Sequence, residues 1–163
     1  FIGSGKILGG VPIQFVYMLV VIVISGLILN RTKFGRNIYA VGDNKQAASY
    51  SGINSRRVTM TVFVIMGIFA SCAGILSSAR TFSAQFNVGE GSEMDAISAV
   101  VLGGTSMSGG VGRLSGTIIG CIVIGVLNNG MNILGIDSSW QYVVKGVVVL
   151  IAVFIDYIKK MKD

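Results

Sequence analysis

The residue types that carry most enzyme chemistry are sparse in this chain. It has no His and two Cys, Cys72 and Cys121, which lie far apart inside apolar runs and form no C-x-x-C pair. Zinc sites need closely spaced sets of Cys and His, and Cys–His catalysis needs a His residue to act as the base for the Cys. The sequence therefore predicts no metal site, no cofactor and no catalytic residue.

Two glycine-rich segments match nucleotide-binding motifs only in part. Segment 3–7 lacks the upstream glycine and the final Ser or Thr of a P-loop, and segment 110–115 has Ser where the G-x-G-x-x-G pattern needs its last glycine. Neither follows a strand in a plausible βαβ unit. We expect neither nucleotide nor nucleic acid binding by this chain itself.

The composition indicates a membrane protein. Of the 163 residues, 52% are hydrophobic and 12% are charged, against about 25% charged in soluble domains. A helix needs roughly 20 residues to cross about 30 Å of hydrocarbon. The runs that predict spanning helices are 11–29, 58–79, 96–112, 114–134 and 141–157. The third ends in a stretch rich in Gly and Ser, which on its own fits a full span, a broken helix or a re-entrant segment.

The distribution of charge gives the predicted topology. The formal net charge is +6, and six of the Lys and Arg side chains lie in segment 31–57, with further Lys residues at 159, 160 and 162. The positive-inside rule places both basic regions in the cytoplasm, so an even number of spans must separate them. Counting run 96–112 as a full span satisfies this, and we expect an all-α polytopic protein of the cell membrane with about five transmembrane helices.

Two charged residues near the ends of these runs have simple expected roles. Ser92 and Asp95 fit a capping pair that opens the third span. Lys145 lies near one end of the last run, where we expect its side chain to extend towards the interface.

Segment 31–57 is longer than a minimal connector. Asp43 followed by Gln46 three residues later is a capping-box pattern, and Gly52 suits a left-handed helix stop. This predicts a cytoplasmic helix of about eight residues. Its small residues suit docking in the groove of a partner protein; the alternative is an ordinary interhelical loop that contacts anionic lipid.

Small and amide residues mark the later runs. Gly112, Gly116 and Gly120 recur at four-residue spacing, which predicts close helix packing rather than a permeation feature. Asn128 and Asn132 lie one helical turn apart, and amides in a span usually face protein or water.

Three separated segments carry a family resemblance. Segments 34–53 (FGRNIYAVGDNKQAASYSGI), 93–112 (EMDAISAVVLGGTSMSGGVG) and 140–146 (WQYVVKG) resemble, in order, motifs of the ribose-type ABC sugar-importer permeases, within the branched-chain amino acid and simple sugar permease superfamily. The resemblance covers essentially the whole chain, 1–163, as the C-terminal half of a permease with roughly ten spanning helices.

The resemblance implies a mechanism and partners. Two permease subunits, identical or different, would surround a pathway, two cytoplasmic ATPase subunits would grip their coupling helices, and an extracytoplasmic binding protein would deliver the sugar. The residues that match the coupling element by position are Gly42, Asn44, Ala47, Ala48, Ser51 and Gly52. Lys45 departs from the family, which often has Pro there, so the start of the helix is expected to differ slightly. Asn128 and Asn132 are then candidates to bond sugar hydroxyls, the alternative being an interhelical hydrogen bond.

Two other functions are kept beside this one. A small oligomeric channel or non-ATP-driven carrier would use the cytoplasmic helix as a lipid-facing or gating element. A purely structural membrane subunit would carry no solute and would tolerate Leu in place of Asn128 and Asn132.

Overall fold

The structure is a computed structural model that describes residues 6–7, 11–82 and 89–160. Most of this described part is helical. The elements are β1 (Lys6–Ile7), β2 (Val11–Pro12), α1 (Ile13–Arg31), α2 (Lys33–Asp43), α3 (Lys45–Tyr50), α4 (Ser55–Thr81), α5 (Ser92–Leu102), α6 (Leu114–Ile133) and α7 (Ser138–Lys160). The two short strands form one antiparallel pair. The chain divides into two compact units, Phe1–Gly89 and Glu90–Asp163.

In the first unit a tight turn joins α1 to α2. Thr32 lies between the two helices; its hydroxyl donates to the carbonyl of Ile28 at 2.6 Å and accepts from the N–H of Gly35 at 3.1 Å. Gly35 is buried directly against the backbone of Leu29, where a Cβ would overlap the carbonyl oxygen. The turn therefore brings α2 back across the end of α1, and α2 also contacts α3 and α4.

The long helices α1 and α4 expose most of their apolar surface. No residue of α1 is buried, and Val58 is the only buried residue of α4. Asn54 caps α4 by accepting from the N–H of Arg57 at 3.0 Å. Because these faces are apolar and uncovered within the described residues, they suit contact with lipid tails or with further transmembrane helices.

The second unit is a three-helix assembly in which α5 packs against both α6 and α7. Its buried side chains come from all three helices. They are Ser98, Ala99, Val101, Ile124, Met131 and Lys145.

The third predicted span is the one that differs from expectation. Instead of running through 96–112, α5 has 11 residues and ends at Leu102, which gives a length of about 16 Å, half of the hydrocarbon thickness. The cause is local: Gly104 has a φ of +82°, and the N–H groups of Gly104 and Thr105 bond back to the carbonyls of Val101 and Val100. This Schellman motif stops the helix, so α5 is a half-length helix and not a full span.

The other predicted spans are confirmed in position. Within the described residues, three helices are long and apolar enough to cross a membrane, Ile13–Arg31, Ser55–Thr81 and Leu114–Ile133, and the apolar stretch Ser138–Phe154 adds a shorter one. The prediction of an all-α polytopic membrane protein is confirmed. Among the described residues between α4 and α6, α5 and the loop at 103–113 stand where a further long helix was expected.

Candidate functional site

The basic segment, residues 31–57, is built around Asn44. Its N–H donates to the carbonyl of Ala40 at 3.2 Å and closes α2, while its side-chain oxygen accepts from the N–H groups of Gln46 and Ala47 at 3.0 Å each and opens α3. The predicted cap at Asp43 is therefore displaced by one residue. The reason is that α2 continues through Asp43, and the extended backbone of Asn44 separates the two helices.

The other end of α3 closes as the sequence indicates. Gly52 has a φ of +81°, and the N–H groups of Gly52 and Ile53 donate to the carbonyls of Ser49 and Ala48 at 3.0 Å each. Ser51 adds a bond from its hydroxyl to the carbonyl of Ala47. The helix between the two caps has six residues, two fewer than expected.

Helix α3 has one buried face and one exposed face. Ala48 is 5% exposed and packs inside the unit, whereas Gly42, Ala47, Ser51 and Gly52 are exposed. Tyr50 is 90% exposed, an aromatic side chain that the sequence reasoning did not single out. Of the positions matched to the coupling element, Ala48 is thus placed to hold α3 in position, and the others lie where a partner can reach them.

A groove of about 580 Å³ lies beside α3 and the start of α4. Its lining includes Lys45 and Arg56, and the hydroxyl of Ser55 donates to the carbonyl of Lys45 at 3.3 Å to fix the connection. No acid of the described ranges forms an ion pair with the cations of the basic segment. This surface is positively charged and open.

The second candidate site is a charge cluster formed by Asp95, Asn128 and Lys145, one residue from each of α5, α6 and α7. The Nζ of Lys145 lies 2.6 Å from Oδ1 of Asp95, and Nδ2 of Asn128 donates to Oδ2 of the same carboxylate at 2.9 Å. Lys145 is 7% exposed, and its ammonium lies 5.6 Å from the ring centroid of Tyr142. Oδ1 of Asn128 is buried and accepts no hydrogen bond from the described residues.

This cluster corrects two expectations. Asp95 does not cap α5 with Ser92, because Gly91 is the N-cap residue and no side-chain cap bond forms there. Lys145 does not extend to the interface, because it is buried and paired. Asp95, whose side chain is 32% exposed, supplies the counter-charge that makes burial of Lys145 tolerable.

One turn along α6 from Asn128, Asn132 bonds to a residue of α7. Its Oδ1 accepts from Nε2 of Gln141 at 2.9 Å, and that same nitrogen also donates to the carbonyl of Ile136 at 2.9 Å. Asn128 and Asn132 therefore both make interhelical hydrogen bonds, which is the alternative that the sequence left open beside a contact with solute.

The glycine ridge lies at the contact between α5 and α6. A Cβ on Gly116 would overlap the carbonyl oxygen of Gly103, and one on Gly120 would overlap that of Ala99. Gly112 lies in the loop before α6 and faces the side chain of Thr105. Only a hydrogen fits at 116 and 120, so the backbones of the two helices touch there.

The two nucleotide-like segments, the basic tail and possible metal ligands remain to be located in the structure. Segment 110–115 lies in the loop before α6 and in its first residues, and no strand precedes it in range 89–109. Residues 3–5 of the other glycine-rich segment and Lys162 of the basic tail lie outside the described residues. Over the described ranges, no group of three or more His, Cys, Asp or Glu side chains is arranged to hold a metal ion.

The sequence reasoning missed the joint role of Asp95 and Lys145. One signal was present: an ionisable residue within an apolar run needs a partner, and few acids lie near the runs. Sequence spacing alone does not tell which acid meets Lys145, because the two residues lie on different helices with α6 between them in the chain.

These features define a multi-pass membrane protein with a capped, exposed helical element and a charge cluster around the buried Lys145. Residues 2–153 match the family described as branched-chain amino acid transport system / permease component. The chain belongs to this family of transport permeases, and it is a multi-pass protein of the inner membrane.

The chain is similar to several sugar permeases. It is 49% identical over 154 residues to the ribose import permease protein RbsC of Bacillus subtilis (strain 168) and 48% identical to RbsC of Escherichia coli (strain K12); each match covers 94% of this chain and 48% of the relative. The xylose transport system permease protein XylH of Haemophilus influenzae is 44% identical, with 94% of this chain and 41% of the relative covered. The chain thus spans about half the length of these relatives. No solved structure matches it.

Proposed function

We propose that this chain is the C-terminal half of a permease subunit in an ATP-binding cassette importer that moves a ribose-like monosaccharide across the inner membrane. The observation that carries the proposal is the 48–49% identity to ribose import permeases over 94% of the chain. A second permease subunit, identical or different, completes the pathway, and an extracytoplasmic binding protein supplies the sugar.

The basic segment is the proposed contact with the ATPase subunits. The exposed residues of α3 and its caps, Ala47 and Ser51 among them, and the aromatic ring of Tyr50 form a short protruding element with a fixed backbone. Caps at both ends support this assignment. A six-residue helix is marginally stable by itself, so it can pass movement of the ATPase to the permease only if its ends stay folded. Closure of the ATPases would then shift the permease between two packings.

A crosslinking experiment tests the contact. Ser49→Cys is introduced into the intact permease in a Cys72→Ala, Cys121→Ala background, since both native thiols are exposed, and the permease is co-expressed with its ATPase. We expect a crosslink whose yield changes with ATP. Ser92→Cys is the matched control: the residue is exposed but predicted on the opposite side of the membrane. A thiol at position 49 that is labelled from the cytoplasm yet never crosslinks would favour the channel or carrier instead.

Charge introduced on α3 tests the coupling itself. Ala47→Glu is expected to uncouple ATP hydrolysis from uptake with normal insertion, because Ala47 is exposed on the proposed contact face. Ala48→Glu is expected to lower stability instead, because Ala48 is buried within its own unit. Ala47→Ser is the control for side-chain change without charge. Normal coupled uptake by the Ala47→Glu variant would remove the coupling assignment.

Asn128 and Asn132 are proposed to bond hydroxyl groups of the passing sugar. The bond between Asn132 and Gln141 allows a comparison, because Asn132→Leu and Gln141→Leu both remove it, and Gln141→Leu also removes the bond to the carbonyl of Ile136. A larger loss of uptake in Asn132→Leu supports a solute contact. Equal losses would mean that Asn132 acts only through its bond to α7.

A further inference from the structure

The half-length helix α5 is attached to its neighbours by two independent contacts. Towards α6, the backbone of α5 lies against Gly116 and Gly120 without intervening side chains. Towards α7, the attachment includes the Asp95–Lys145 pair, in which Oδ1 faces the ammonium at 2.6 Å. The ring of Tyr142 on α7 also covers Gly91 at the start of α5, where a Cβ would meet the ring atoms at 2.6 Å.

Separating the two charges of the pair would cost substantial free energy. Lys145 is buried, whereas the Asp95 side chain is 32% exposed. Oδ1 of Asp95 lies 2.6 Å from the ammonium as a charge contact without hydrogen-bond geometry, and Oδ2 accepts a hydrogen bond from Asn128. Separating α5 from α7 would leave the buried ammonium of Lys145 without its counter-charge among apolar helices, which is strongly unfavourable. In the transport cycle, helix movements that keep the pair closed are therefore favoured over movements that break it.

We propose that Asp95 and Lys145 are positioning residues for transport: their charge pair keeps α5 joined to α7 through the whole cycle, so that α5, α6 and α7 move as one body. This inference rests on the proposed importer function. If the inference is correct, the helix movements of the transport cycle occur outside the contact between α5 and α7. The pair is then necessary for uptake, although neither residue needs to touch the sugar.

A covalent replacement of the pair tests the inference. Asp95→Cys and Lys145→Cys are combined in the Cys72→Ala, Cys121→Ala background of the intact permease, which is reconstituted in proteoliposomes with its ATPase and binding protein. A short bis-methanethiosulfonate reagent then joins the two thiols, and mass spectrometry verifies the link. We expect uptake by the unlinked variant to fall, because the charge pair no longer joins α5 to α7, and uptake by the linked variant to recover most of that loss.

Each result decides the matter. A verified link that leaves ATP-driven uptake off would show that α5 and α7 must separate, and it would overturn the inference. Wild-type uptake by the unlinked variant would also overturn it, because the pair would then be dispensable. Failure of ATP-driven uptake in the wild-type control would instead count against the proposed function, and the inference would fall with it.

A charge exchange covers the case in which the double cysteine variant does not accumulate in the membrane. Asp95→Asn and Lys145→Gln alone are expected to lose uptake, and Asp95→Lys with Lys145→Asp is expected to recover part of it, because the exchange restores the attraction. Glu93→Gln, on the exposed side of the same helix, is the matched control and should transport normally. An exchange variant that inserts but transports no better than the single variants would contradict a role of the charges.

Discussion

Replacing Gly120 with Ala is expected to destabilise the contact between α5 and α6. The added Cβ would overlap the carbonyl oxygen of Ala99 and lie 2.9 Å from its carbonyl carbon and 3.1 Å from the nitrogen of Gly103. All three are backbone atoms, so no side-chain rotation relieves the overlap. Because carbon–oxygen contacts normally need about 3.3–3.6 Å, the two backbones must separate by roughly 1.5 Å.

The magnitude follows from a comparison with a second glycine of α6. Over-packing of this kind costs about 1–3 kcal/mol, and the change from Gly to Ala in a helix returns up to about 1 kcal/mol through propensity. Gly125→Ala receives the same gain without the clash, since, apart from its chain neighbours and the adjacent backbone of α6, no atom of the described residues lies within 4 Å of the added methyl group. The difference between the two variants is therefore about 2 kcal/mol, or roughly 3 °C in melting temperature for an intact permease of about twice this length.

The assay is thermal unfolding of the intact permease in nanodiscs, with wild type, Gly120→Ala and Gly125→Ala measured together. We expect Gly120→Ala to melt several degrees below Gly125→Ala. If Gly120→Ala melts at the same temperature as Gly125→Ala or above it, the backbone-to-backbone packing of α5 on α6 is not as described.

Three further predictions concern helix ends. Asn44→Ala removes the acceptor that opens α3 and should cost about 1 kcal/mol, detected as faster hydrogen exchange at the amide of Ala47. Gly104→Ala forces a methyl group into a left-handed backbone and should cost about 1–2 kcal/mol, measured as a lower melting temperature. The N–H of Ser139 donates to the carboxylate of Asp137 and holds its pKa below the ordinary value of 3.8, so this cap is complete above that value and is lost as the pH falls below it. Asp137→Asn should abolish the acid transition, followed by the fluorescence of Trp140.

Much of the fold can be predicted from the sequence because its causes are local. Long runs without charge predict spanning helices, and the bounds of α1, α4, α6 and α7 follow those runs to within a few residues. The stop at Gly52 is predictable for the same reason, since a left-handed glycine after a polar-capped segment needs no distant partner. The early end of α5 also has a local cause, the left-handed backbone of Gly104. The prediction of a full-length helix there was wrong because it relied on the requirement for an even number of spans.

The arrangement of the candidate sites is decided by contacts between residues that are distant in sequence. Asn128 is unusual in an apolar helix, but its bond to Asp95 depends on which faces of α5 and α6 meet. Ala47 and Ala48 are equivalent by sequence, and only packing buries one and exposes the other.

The sequence by itself determined that this is a membrane protein with a capped basic segment, because hydropathy and capping act within a few residues. Only the tertiary structure decided that Lys145 pairs with Asp95 and is buried. The physical reason is that a charge among apolar helices requires a counter-charge, but the helix that supplies it is selected by three-dimensional packing and not by position along the chain.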